Sequence, residues 1–133
     1  MAIQVPAPCE LTLGMVCIDK AIPGHTVWRM VADERFANPA GTIQGGFLSA
    51  FADSAMGSAT VTWARAAERK VYTANAEMKI SFMKAVRVGS VLTCTASVLS
   101  GGRRALFAEA SVVDDSDSLI ARASSTYILT PRE

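Results

Sequence analysis

The stretch Asn38-Pro39-Ala40-Gly41-Thr42-Ile43-Gln44-Gly45-Gly46-Phe47-Leu48-Ser49-Ala50-Phe51-Ala52-Asp53 changes character halfway. Asn38-Pro39 and Gly41 disfavour both helix and strand, so Asp33 to Ile43 reads as a loop that delivers the chain to a Gly-Gly pair. From Gly46 to Glu68 the residues are rich in Ala, Met, Leu and Phe with no proline, and Phe47, Leu48, Phe51, Ala55 and Met56 fall at helical spacing. The pattern predicts one long helix of about six turns. Asp53 is the only carboxylate in its apolar, small-residue run.

Outward from this helix the period changes to two. After Lys70, Tyr72, Ala74, Ala76, Met78, Ile80 and Phe82 alternate with Thr73, Asn75, Glu77, Lys79 and Ser81, which predicts a strand whose inward face carries the first set. On this reading Asn75 lies on the polar face. Further strands are expected over Val91 to Leu99, Arg104 to Val113 and Leu119 to Leu129, with Ser100-Gly101-Gly102 and the acidic cluster 114–118 as turns. Before the helix, Leu11 to Lys20 and Thr26 to Ala32 read as two strands reversing at Pro23-Gly24. Residues 1–10 are expected to form a flexible N-terminus. Strands joined by short turns favour an antiparallel sheet, and packing the helix on it gives an α+β fold of about six strands.

The 133 residues fit a single domain. With 19% charged residues and a net charge of +1, bulk charge does not mark the chain as a nucleic-acid binder. Cys9, Cys17 and Cys94 are odd in number and widely spaced, arguing against a disulfide framework or zinc site and fitting a reducing cytoplasm. The N-terminus has no basic n-region and is broken by Pro6 and Pro8, so no signal peptide is expected. The segment 45–67 carries Asp53, Ser49, Ser54 and Ser58, which argues against a membrane span. With His25 as the one histidine, no histidine-based triad or metal cluster can be built.

Two features of the opening stretch carry chemistry. Backbone N–H groups at a helix start lack intrahelical partners and suit a developing oxyanion, although Gly45 and Gly46 also fit a plain helix-entry turn. A carboxylate such as Asp53 can attack a carbonyl or activate water, or it can be a solvated mid-helix residue. Asp53 stands eight positions after Gly45, about 12 Å along a helix axis, so one carbonyl cannot touch both within one chain. Cooperation between them requires a two-fold dimer with paired helices, which the small residues around Asp53 permit. Asn38 fits a turn residue or a group that orients water. Arg103 and Arg104 fit a solvated hairpin tip or a phosphate contact.

This element order and the central segment resemble the hotdog-fold thioesterases, specifically the phenylacetate-degradation (PaaI-like) branch. Its pattern, Asn-x-x-Gly-x-x-His-Gly-Gly followed by a helical Asp, stands here as Asn38, Gly41, Gln44, Gly45, Gly46 and Asp53, with Gln44 in place of the histidine. The resemblance runs on through 77–89 and 100–107 and covers about residues 11 to 130. It implies a hotdog fold, a sheet wrapped around one long central helix, and hydrolysis of acyl-CoA to free acid and CoA. It further implies Asp53 as nucleophile or general base, donors at Gly45 or Gly46, a water-orienting Asn38, a supporting role for Gln44, and a homodimer with shared interface sites that pairs into tetramers. Asn75 stands where relatives carry Ser or Thr. No cofactor is implied, because coenzyme A belongs to the substrate, whose phosphates Arg103 and Arg104 would contact. Two alternatives remain open on the residues: a non-catalytic acyl-CoA-binding module, to which Gln44 points, and an enoyl-CoA hydratase, for which His25 lacks a motif.

Overall fold

The computed structural model describes residues 4–132. The sheet strands are β1 (Val16–Asp19), β2 (His25–Val31), β3 (Val71–Phe82), β4 (Val91–Gly101), β5 (Ala105–Val113) and β6 (Leu119–Pro131), and the long helix is α2 (Gly45–Ala66). A short helix, α1 (Pro8–Leu13), precedes β1. All strand pairs are antiparallel, and the strands are ordered β1-β2-β4-β5-β6-β3 in one sheet. The expected α+β arrangement of six strands and one long helix is therefore present.

The helix seats itself through a stripe at helical spacing: Leu48, Phe51, Ala52, Ala55, Met56 and Ala59 are all buried. Alanine in this stripe lets the backbone approach the sheet, while Phe51 and Met56, both fully buried, fill the space between. Burial of each large side chain contributes about 1.5–3 kcal/mol. The opposing faces come from strict alternation, Leu92, Cys94 and Ala96 on β4 and Leu106, Ala108, Ala110 and Val112 on β5. Two buried threonines tie the helix to β2 and the turn before it: Thr26 donates to the Ala55 carbonyl at 2.8 Å, and Thr62 accepts from Gly24 N–H at 3.0 Å.

Three expectations need correction. Leu11 to Lys20 is not one strand; Pro8 opens a helical turn as proline does at a helix start, and Gly14, at φ +69°, ends it before β1. Of the tail expected over residues 1–10, Pro8 to Glu10 thus belong to α1, and residues 1–3 lie outside the described residues. The third correction decides the site. On β3, Asn75 pairs with Tyr127 but Glu77 pairs with Thr126, so Ala76 is the extra residue of a β-bulge. The bulge switches the faces. Val71, Thr73 and Asn75 turn toward the helix and Tyr72, Ala74 and Ala76 away, whereas beyond it Met78 and Ile80 pack on the core as expected. Phe82, expected inward, is 49% exposed.

Candidate active site

The loop before α2 is held by one side chain. Asn38 Oδ1 accepts from Ala40 N–H at 3.0 Å and Thr42 N–H at 3.1 Å, and its Nδ2 donates to Thr42 Oγ1 at 2.9 Å. The Asn38 oxygen and one of its two amide N–H groups are thus taken up by the loop. Gly41 sits at φ +82°, a left-handed conformation that favours glycine. Gln44 N–H then bonds the Phe36 carbonyl at 2.9 Å, which aims the chain into the helix.

Gln44 occupies the N-cap with extended backbone, and its side chain makes no capping bond. No acceptor serves the Gly45 or Gly46 N–H among the described residues. The two glycines differ. A Cβ on Gly45 would stand 2.8 Å from Phe82 Cζ, so the Phe82 ring covers this glycine, whereas Gly46 lies open in a groove. The groove, about 490 Å³, is lined by Gln44, Gly46, Phe47, Ala50, Asp53 and Ser54 of α2 and by Cys9, Thr12 and Leu13 of α1. Gly46, Ala50, Asp53 and Ser54 follow the i, i+4, i+7, i+8 rule for one helix face. Phe47 is fixed by stacking on Phe36, ring centroids 4.4 Å apart.

Asp53 is half-buried, and its Oδ1 is the centre of a polar cluster. Asn75 Nδ2 donates to it at 3.0 Å, and Tyr127 Oη donates at 2.6 Å. Asn75 Nδ2 also lies 3.2 Å from Ser125 Oγ and 3.3 Å from Tyr127 Oη. A flipped amide would set its oxygen against the carboxylate, so the network fixes the orientation with the nitrogen toward Asp53. Tyr127 is buried at 2% exposure, and burial first, then the Asp53 carboxylate, pushes its phenol above the ordinary range. Tyr127 and Ser125 escaped the sequence reading. The signal was present, since they continue the inward alternation of β6 with Ala121 and Ala123, and an inward phenol needs a polar partner.

The remaining candidates lie apart. Arg103 and Arg104 sit on the exposed β4–β5 turn and, with Arg69 and residues 128–131, line a groove of about 310 Å³ that shares no residue with the Asp53 groove. Arg69 Nη2 donates to the Arg103 carbonyl at 2.6 Å, bracing that turn, and no acidic side chain lines the groove. His25 Nδ1 pairs with Ser97 Oγ at 2.9 Å across β2 and β4. Cys94 is buried and its thiol is pushed up to about 12. Among the described residues no group of three metal-ligating side chains occurs, and no helix is long and apolar enough to cross a membrane.

Known proteins share this architecture. Residues 40–121 match the family described as Thioesterase superfamily. Human acyl-coenzyme A thioesterase 13 is 28% identical over 98 residues, 74% of this chain and 67% of the relative. The Escherichia coli PaaI protein of the phenylacetic acid degradation operon superposes with a TM-score of 0.84 at 21% identity, covering 92% of this chain and 83% of that one. The Streptococcus mutans protein smu.793, solved bound to acetyl CoA, has a TM-score of 0.80 at 16% identity over 90% of each chain. The family match spans more than half of the sequence and carries both Gly45-Gly46 and Asp53. The chain belongs to the thioesterase superfamily and has its hotdog fold.

Proposed function

We propose that this protein hydrolyses acyl-CoA thioesters, with Asp53 as the reacting carboxylate and Gly46 N–H polarising the thioester carbonyl. The observation that carries the reading is the shared groove. It places a donor without an intrahelical acceptor and a carboxylate gripped at one oxygen along a single helix face. Donors aimed at a developing oxyanion supply about 2.7–4 kcal/mol of barrier lowering. Gly46 is preferred to Gly45 because Gly46 lines the groove with Asp53 and Gly45 does not.

The two groups are about 10 Å apart along the helix, so each carbonyl meets Gly46 of one protomer and Asp53 of another. A homodimer with paired helices answers that distance, and β3, which pairs with β6 alone, offers a free strand edge to a second copy. Asp53 either attacks the carbonyl to form an acyl anhydride that water then cleaves, or removes a proton from the attacking water; both release CoA thiol and the free acid. Gln44 as N-cap leaves the Gly46 N–H available, so its neutral amide does not remove the oxyanion donor. Leu13, Phe47 and Ala50 give the groove an apolar wall suited to an acyl or aryl group. Arg103 and Arg104, with Arg69 behind them, are suited to CoA phosphates. Free Cys9, Cys17 and Cys94 accord with a cytoplasmic enzyme.

The test is release of CoA thiol from short-chain, medium-chain and aryl acyl-CoA by purified protein. Hydrolysis of at least one class supports the reading. Tight binding with no turnover of any would favour the acyl-CoA-binding module instead.

A further inference from the structure

Tyr127 has a single hydroxyl, and the fold directs it at one residue. Its Oη lies 2.6 Å from Asp53 Oδ1 and 2.9 Å from the Asp53 carbonyl oxygen. One proton cannot serve both fully, and the shorter, charged acceptor takes it. The ring reaches Asp53 by crossing the helix at Gly57, where an added Cβ would be 3.8 Å from Tyr127 Cε1, one turn beyond the carboxylate. The backbone register brings the second donor: Tyr127, inward by the regular alternation of β6, pairs directly with Asn75 on β3, and the bulge at Ala76 turns the Asn75 side chain to the same face.

Oδ1 therefore carries two donors, while no partner meets Oδ2 among the described residues. Asp53 itself lines the groove. Resting on the reading of Asp53 as the reacting carboxylate, we propose that Tyr127 is a positioning residue that anchors Asp53 by Oδ1, with Asn75 as second anchor. This leaves Oδ2 as the oxygen that meets the thioester or the attacking water. A phenol suits the task, since its ring is immobilised by burial and its hydroxyl needs no counter-ion. It touches neither thioester nor water.

The experiment has two arms. In the first, Tyr127→Phe keeps the ring and removes only the hydroxyl; kcat for acyl-CoA is expected to fall about 10- to 100-fold with KM within about twofold, as for a reacting group set loose from its geometry. An unchanged kcat, or a loss confined to KM, overturns the proposal. The second arm needs no turnover. In a Tyr72→Phe background, where Tyr127 is the one tyrosine, the tyrosine Fermi doublet is read by Raman spectroscopy at pH 7 with and without Asp53→Asn. Replacing the charged acceptor by a neutral amide is expected to shift the doublet intensities away from those of a strong phenol donor. Identical spectra would mean that the phenol is not held on Asp53 and would overturn the proposal. A wild-type protein inactive on every acyl-CoA would strike at the hydrolase reading alone, and the second arm would still decide the anchor.

Discussion

Asn75 Nδ2 lies 3.0 Å from Asp53 Oδ1, joining a strand residue to a helix residue 22 positions earlier. Without the bulge at Ala76, the period-two pattern would turn this amide to the opposite face of the sheet. One inserted residue thus gives the carboxylate its second donor.

Asn75→Ala removes that donor and leaves Tyr127 in place. We expect kcat to fall about tenfold at an unchanged KM, the behaviour of a group that orients a reacting residue without holding substrate. Steady-state kinetics on the best acyl-CoA checks this, with the thermal midpoint showing that the fold survives.

Subunit mixing checks the proposed shared site. Gly46→Pro deletes the proposed oxyanion donor and Asp53→Asn the proposed reacting carboxylate, and each variant alone is expected to lose at least about 100-fold in kcat. Co-expressed in equal amounts, half of the dimers are hybrids with one intact site of two, so about a quarter of wild-type activity should return. No recovery would place both groups on one chain's site.

Much of this was legible in the sequence, and the parts that were not share a cause. Strict alternation on β4 and β5 and the helical spacing of Leu48, Phe51, Ala55 and Met56 are repeated signals, so the sheet and helix follow from pattern. The motif positions Gln44, Gly46 and Asp53 are among the groove residues, whereas Gly45 is not. A bulge is a single event with no period, and Ala76 looks like its neighbours. The period-two pattern therefore puts Asn75 on the wrong face, and Tyr127, whose importance depends on lying opposite Asn75, reads as ordinary strand. Asn38 stays open in the sequence for another reason: an asparagine beside Pro39 suits a turn or a water equally, and the bonds to Ala40 and Thr42 show the turn role. The short α1 escaped because six residues carry too little periodicity to oppose the β-branched run that follows.

Alkaline stability reports the buried phenol. The Tyr127 pKa is raised in the folded chain, so its contribution is fully present below the unfolded phenol value of about 10 and is lost as pH rises above it. Urea midpoints of wild type minus Tyr127→Phe should be flat from pH 7 to 9. Above about pH 10 the difference should shrink in the wild type's disfavour.

Gly101 ends β4 under tight packing. A Cβ there would stand 2.6 Å from Trp63 Nε1 and 2.7 Å from Leu106 Cδ2, and Leu106 is fully buried. Gly101→Ala is expected to cost about 1–3 kcal/mol as an overpacking change, read from denaturant unfolding, while leaving KM for acyl-CoA unaltered.

The most direct measurement is turnover by Asp53→Asn against wild type on the same acyl-CoA, with dimer mass and thermal midpoint recorded alongside. Asparagine keeps the shape and an oxygen for Asn75 and Tyr127 but has neither the nucleophilicity nor the basicity of a carboxylate. The expected result is loss of at least about 100-fold in kcat with fold and assembly intact. Hydrolysis by Asp53→Asn within a few-fold of wild type would contradict the assignment of Asp53 as the reacting carboxylate.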